Sequence, residues 1–209
     1  MAFPNELSED TKVYSPQEDT WFLTDILESQ FMQPLNQLRP LLVCEIGVGS
    51  GFISIYLAKK FPQNHFIGTD LSPHSAIYCY KIMSKQLKHN QFDVMSMNLL
   101  RGLNPLAFHP DIIFFNPPYV RTSEEEMKKG FFERSWAGGP SGIVVIQEFL
   151  EDLSRFSFGN AFFLSSIHNK NELLEKGFHE IFEFQVIAKR KIEDEKLLCY
   201  KVWLKKNSR

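Results

Sequence analysis

Apolar and polar positions alternate along this chain in blocks of two different periods. Phe22, Ile26 and Leu27 recur at helical spacing, and Ser15-Pro16-Gln17-Glu18 ahead of them reads as a capped helix start, so a helix is expected to about Phe31. Leu41–Ile46 is a short apolar run that ends in glycines and predicts a buried strand, with a helix from about Gly51 to Lys60. The same pairing recurs with a strand at His65–Asp70 and a helix from Ser72-Pro73 to about Lys88. Strands are expected at Phe92–Asn98, Asp111–Asn116 and Asn160–Ser166, and a helix over Ser141–Phe156, where apolar residues fall at 143, 146, 149, 150 and 153. Asn169-x-x-Glu172 reads as a further capping box, with Gly177 as a stop. Phe182–Ala188 and Leu197–Leu204 form a closing hairpin separated by the charged Lys189–Lys196. Regular alternation of this kind implies an α/β fold: a Rossmann-like, mostly parallel seven-stranded sheet with helices on both faces and an antiparallel terminal hairpin.

A length of 209 residues suits one domain over 1–209, with the helix at about 15–31 packed onto it. Apolar residues at 44% and charged residues at 23% are ordinary for a globular protein. A net charge of −2 argues against a chain built to lie on nucleic acid, which shows a basic surface. Cys44, Cys79 and Cys199 are far apart, so neither a disulfide framework nor a zinc site is expected, and a reducing compartment follows. None of the six histidines has metal-ligand spacing. Glu6, Glu9 and Asp10 leave no apolar run for a signal peptide, and no stretch is long enough to span a membrane. These features place the chain in the cytosol, with the nucleus as a second compartment.

Glu45-Ile46-Gly47-Val48-Gly49-Ser50-Gly51 follows the first strand and opens a helix. Gly47, Gly49 and Gly51 are spaced GxGxG, and the third glycine comes one residue too early for the dinucleotide fingerprint. Glu45 would repel a phosphate and suits a cation. S-adenosylmethionine carries an ammonium and a sulfonium and no phosphate. Asp70, at the second strand's end, stands where a carboxylate accepts from ribose hydroxyls. After the third strand, Asn98 can accept from an adenine amino group and Leu99 can pack on the ring. By itself, a glycine-rich turn is equally well only a tight turn.

The fourth strand runs straight into Asn116-Pro117-Pro118-Tyr119. In open α/β sheets, ligands bind beyond the carboxyl ends of the strands. A planar NH2 is a poor nucleophile with two N–H groups to give. The Asn116 amide oxygen and the Pro117 carbonyl can accept one each, and Tyr119 can stack on the planar group. Catalysis would then be positioning, which allows about 7–11 kcal/mol. The same four residues also serve as a proline-stiffened turn in proteins without this chemistry.

Together these segments resemble the HemK-type protein glutamine N5-methyltransferases, in particular their short eukaryotic and archaeal branch. Tyr14-Ser15-Pro16-Gln17-Glu18-Asp19-Thr20 is similar to that branch's Tyr-x-Pro-x-Glu-Asp-Thr, and Trp136-Ala137-Gly138-Gly139 to its Trp-Ala-Gly-Gly. The resemblance implies a class I methyltransferase fold, with S-adenosylmethionine as methyl donor. Its substrate would be the Gly-Gly-Gln glutamine of the class 1 translation release factor, and its partner a small zinc-binding activator in a heterodimer. It places Thr20 near the cofactor's methionine part, Glu45, Gly47, Asp70, Asn98 and Leu99 against the cofactor, and Asn116 on the glutamine and beside the cofactor. Asn98 departs from the branch, which usually has Asp there. In this topology the strand at Phe92–Met97 lies at the sheet edge, and Phe92, Val94, Met95 and Met97 make it apolar enough to take the activator by strand addition. Adenine N6-methylation of nucleic acid, lysine methylation within the same family and a non-enzymatic scaffold are the competing readings. The basic Lys189-Arg190-Lys191 and Lys205-Lys206 are read as solvated turn and tail.

Overall fold

The computed structural model describes residues 12–33, 39–175, 177–192 and 195–206, so the acidic N-terminal positions 6, 9 and 10 lie outside the described residues. The strands are β1 (Leu42–Ile46), β2 (His65–Asp70), β3 (Phe92–Ser96), β4 (Ile112–Phe115), β5 (Asn160–Ser166), β6 (Phe182–Ile192) and β7 (Glu195–Leu204). They form one sheet in the order β3-β2-β1-β4-β5-β7-β6. The first five run parallel, and β7 inserts antiparallel between β5 and β6. The order reverses between β1 and β4, which are direct neighbours with Ile46 opposite Phe115. That junction is the switch point at which α/β sheets open a crevice.

Strand residues alternate between two apolar layers because successive side chains leave opposite faces of the sheet. Val43, Ile112 and Phe114 face one layer with Phe22, Leu27 and Phe31 of α1 (Glu18–Phe31), residues of α2 (Phe52–Lys60) and residues of α3 (Pro73–Gln86). Cys44, Ile46, Ile113 and Phe115 face the other, against Ile146, Phe149, Leu150 and Leu153 of α5 (Val144–Leu153). Phe149 is 0% exposed and lies 5.3 Å from Phe115, ring centre to ring centre. Burying one such side chain contributes about 1.5–3 kcal/mol. The short helices α4 (Glu124–Met127) and α6 (Lys170–Glu175) sit in the connections after β4 and β5.

Two local expectations shift. The first helix starts at Glu18 with Gln17, in extended geometry, as its cap, and the Gln17 N–H donates to the Thr20 hydroxyl. The charged Lys189–Lys196 is largely ladder rather than loop: Lys189 pairs with Leu198 and Arg190 with Leu197. Arg190 covers the Phe22 ring at 4.6 Å and donates to Asp25, so it packs against α1, while Lys189 and Lys191 are exposed. α6 starts at Lys170, directly after Asn169 as expected; Ser166 caps the turn before it, and the Asn169 side chain also bonds to distant loops.

Candidate active site

Above the carboxyl ends of β1, β2 and β4 lies a cleft of about 480 Å3. Its walls include Thr20, Glu45, Gly47, Gly49, Asp70, Asn98, Leu99, Asn116, Pro117, Pro118 and Tyr119, which the sequence places in five separate segments.

At one end, the glycine loop turns on positive φ angles: 64° at Gly47 and 51° at Gly49. A side chain on Gly47 would also press within 3.1 Å of the Phe115 ring. The loop is tied down by Asp70, whose Oδ2 accepts from the Gly49 N–H at 2.9 Å and whose Oδ1 accepts from the Ser72 N–H at 2.8 Å. Burial raises the Asp70 carboxyl above its ordinary range, and these two N–H donors work against that rise. Glu45 is 5% exposed, and its Oε2 accepts from the Ser54 N–H and hydroxyl. Burial pushes this carboxyl up to about 8 against the pull of Ser54, with the charge of Asp70 adding to the rise. Two carboxylates at one end of a cleft favour a cationic ligand, which would restore their ionised forms.

Gly51 is a correction. It caps α2 with φ 77°, and a side chain there would meet Cys79 Sγ at 2.7 Å. It does not line the cleft. Its smallness lets α2 pack on α3, and the two glycines before it carry the approach to a ligand. Leu99 is the only non-glycine residue with positive φ among the described residues, at 50°. A left-handed leucine costs about 1–2 kcal/mol, and strain of this kind gathers at ligand sites.

At the other end, β4 delivers Asn116, whose Nδ2 donates to Asp19 Oδ2 at 3.0 Å. The Tyr14 and Tyr119 hydroxyls donate to the same oxygen at 3.2 and 3.3 Å. Asp19 Oδ1 accepts from the Thr20 N–H at 2.6 Å. Both phenols are held above their ordinary range, first by burial and then by the charge of Asp19. Asn116 Oδ1 is sealed from water and has no hydrogen-bond partner. An unmet buried acceptor costs about 1–3 kcal/mol.

The turn is also held from behind. Asn169, 0% exposed, donates through Nδ2 to the Tyr119 carbonyl at 2.8 Å and the Gly142 carbonyl at 3.1 Å, and accepts from Arg121 Nε. Beyond Tyr119, Val120 and Ala137 form a parallel bridge, with the Val120 N–H donating to the Trp136 carbonyl and the Gly138 N–H to the Val120 carbonyl. A side chain on Gly138 would lie 2.8 Å from the Gly142 carbonyl, so only glycine fits. Asp19 and Asn169 are residues to which sequence reasoning gave no place at the site. Asp19 sat inside a quoted motif. Asn169 carried only a helix-start pattern, which says nothing of its bonds to distant carbonyls.

The model of the methyltransferase small domain matches residues 16–150. The chain belongs to the methyltransferase small domain family. HEMK2, a human methyltransferase, is 36% identical over 140 residues, which cover 66% of this chain and 63% of the human protein, under two thirds of its length. The eRF1 methyltransferase catalytic subunit mtq2 of Schizosaccharomyces pombe is 31% identical over 94% of this chain and 91% of its own. These relatives place the chain on the short HemK-type branch of the family. The fold matches that of the E. cuniculi Mtq2-Trm112 complex, with a TM-score of 0.69 at 24% identity over 93% of this chain and 100% of that one. No described helix is long and apolar enough to cross a membrane.

In this methyltransferase fold β3 is an edge strand, with β2 as its sheet neighbour. Phe92 is a second correction: it is 2% exposed and packs inward with Tyr80 and His89. It lies at the inward end of the strand, where its side chain belongs to the core. Val94, Met95 and Met97 are half-buried, and Ile77 and Tyr80 on the adjoining α3 are exposed.

Proposed function

We propose that this chain is an S-adenosylmethionine-dependent protein methyltransferase. It methylates N5 of the glutamine in the Gly-Gly-Gln motif of a class 1 translation release factor, as the catalytic subunit of a heterodimer. The observation that carries this reading is Asn116: its NH2 is spent on Asp19 and its Oδ1 is left without a partner. A substrate carboxamide supplies the missing donor once its entry uncovers Oδ1, which has no accessible surface in the free chain.

S-adenosylmethionine supplies an electrophilic methyl group on a sulfonium. Glu45, Asp70, Gly47, Gly49, Thr20, Asn98, Leu99 and Asn116 would hold it, the buried Glu45 carboxylate suiting its positive charge and Asp70 accepting from its ribose hydroxyls. Asn116 Oδ1 and the Pro117 carbonyl each accept one N–H of the substrate amide. This fixes the nitrogen and turns its lone pair toward the methyl donor. Pro117 and Pro118 have no N–H to compete for those acceptors. Tyr119, tied to Asp19 and to Asn169, forms the flat wall against the amide plane. No strong base is needed, because the nitrogen sheds its proton readily once it carries the new methyl. Arrangement alone contributes on the scale of about 7–11 kcal/mol.

The partner is a small zinc-binding activator that adds a strand to β3 and covers Val94 and Met95, an apolar edge otherwise open to aggregation. Val94→Glu with Met95→Lys is expected to abolish co-purification of the pair. Undiminished co-purification would refute edge pairing. A release-factor substrate places the enzyme in the cytosol, and the nucleus remains a second compartment.

The test of activity is transfer of labelled methyl by the chain co-expressed with the activator. Its acceptors are a class 1 release factor, the same factor with the Gly-Gly-Gln glutamine replaced, and an adenine-containing duplex. Label on the first alone is expected. Label on the duplex would make the chain an adenine methyltransferase, the same turn serving another planar NH2.

A further inference from the structure

We propose that Asp19 is the positioning residue that sets the hydrogen-bond polarity of Asn116 and thereby fixes the class of substrate: a planar NH2 that donates hydrogens. The identity of that substrate rests on the proposed function. The geometry does not.

The two faces of an asparagine amide have nearly the same shape, so packing alone does not choose between them. The choice falls to the group that each end meets. A carboxylate has only acceptors. Asp19 Oδ2, 3.0 Å away, therefore forces the NH2 of Asn116 toward itself and turns Oδ1 to the other side. Reversing the amide would exchange a charge-assisted hydrogen bond for a carbonyl against a carboxylate. The other neighbours of Oδ2 cannot make this choice. Tyr14 and Tyr119 are hydroxyls, which rotate and serve as donor or acceptor.

Asp19 is itself fixed. Its Oδ1 meets the Thr20 backbone N–H at 2.6 Å and the Thr20 hydroxyl at 3.2 Å, and a backbone N–H can only donate. Asp19→Asn therefore has one good arrangement: its oxygen stays with Thr20 and its NH2 takes the place of Oδ2. That NH2 faces the NH2 of Asn116. Asn116 turns over to relieve the clash, and the acceptor meant for the substrate becomes a donor. Asp19→Ala only frees Asn116 to sample both orientations. The near-isosteric Asn should thus harm catalysis at least as much as Ala. A residue that merely supports the fold would show the opposite order.

The test uses the full chain with its activator. Asp19→Asn is expected to lower kcat for the release factor by about 10²-fold, at least as far as Asp19→Ala does, the two variants being compared at saturating cofactor and at a temperature where circular dichroism shows both folded. A milder effect of Asn than of Ala would overturn the inference. A second measurement is independent of turnover. In protein labelled with 15N-asparagine, the Asn116 side-chain NH2, assigned by its loss in Asn116→Asp, should exchange slowly with solvent. A fast-exchanging, free-amide signal overturns the proposal whether or not the Asp19 variants fold. If the unsubstituted chain methylates no carboxamide, the proposed function fails and the exchange measurement still decides the role of Asp19.

Discussion

At the glycine-loop end of the cleft, the fixing contacts are local: Glu45 is held by Ser54, nine residues on, and Gly49 by Asp70, 21 residues on. At the Asn116 end they come from far along the chain. Asp19 lies 97 residues from Asn116, and Asn169 lies 50 residues from the Tyr119 carbonyl that it holds. One end is shaped by glycine φ angles and strand ends, and the other by two buried polar side chains brought in by tertiary structure. The difference separates what each end does: the first binds a ligand through backbone and carboxylates, and the second aims an acceptor that must not move.

If the two ends are separable, they should break separately. The largest effect is expected at Asn116→Ala, which removes the aimed oxygen: methyl transfer should fall by about 10²–10³-fold with a far smaller change in cofactor affinity by calorimetry. A matching loss of cofactor binding would merge the two ends into one. Asn169→Ala comes next. It leaves the Tyr119 and Gly142 carbonyls unpaired, and thermal unfolding should show a loss of about 1–3 kcal/mol. Transfer should fall with it while cofactor affinity holds. The smallest effect belongs to the other end. Glu45 titrates near 8 in the free chain against 4.5 ordinarily. The folded chain therefore keeps a proton that the unfolded chain has lost, and its stability declines as pH rises through that window. A cationic cofactor favours the ionised form, so binding should release a proton at neutral pH and tighten toward pH 8. Calorimetry in buffers of different ionisation enthalpy reads this directly, and Glu45→Gln should abolish the release.

The same contrast explains what the sequence made readable. Strand order, the glycine loop, Asp70 and Asn116-Pro117-Pro118-Tyr119 all announce themselves in short windows, because periodicity, glycine and proline act on their immediate neighbours. Gly51 was misplaced because a glycine's letter does not say whether the missing Cβ admits a ligand or, as here, Cys79. Phe92 was misplaced because one end of an edge strand still packs into the core. The hairpin is longer than its charges suggest, because Lys189 and Lys191 are exposed on a paired strand and Arg190 lies over α1, a charge run that looks like a loop in sequence. Asn169 stayed hidden because its partners are two carbonyls from distant loops, which leave no pattern in sequence.

The account's central claim is that Asn116 presents an acceptor to a substrate NH2. The most direct measurement compares binding of two release-factor loop peptides to the cofactor-loaded heterodimer, one with Gly-Gly-Gln and one with Gly-Gly-Glu. The claim predicts that the glutamine peptide binds and the glutamate peptide, which has no side-chain N–H to give, does not. Equal binding of the two would contradict it.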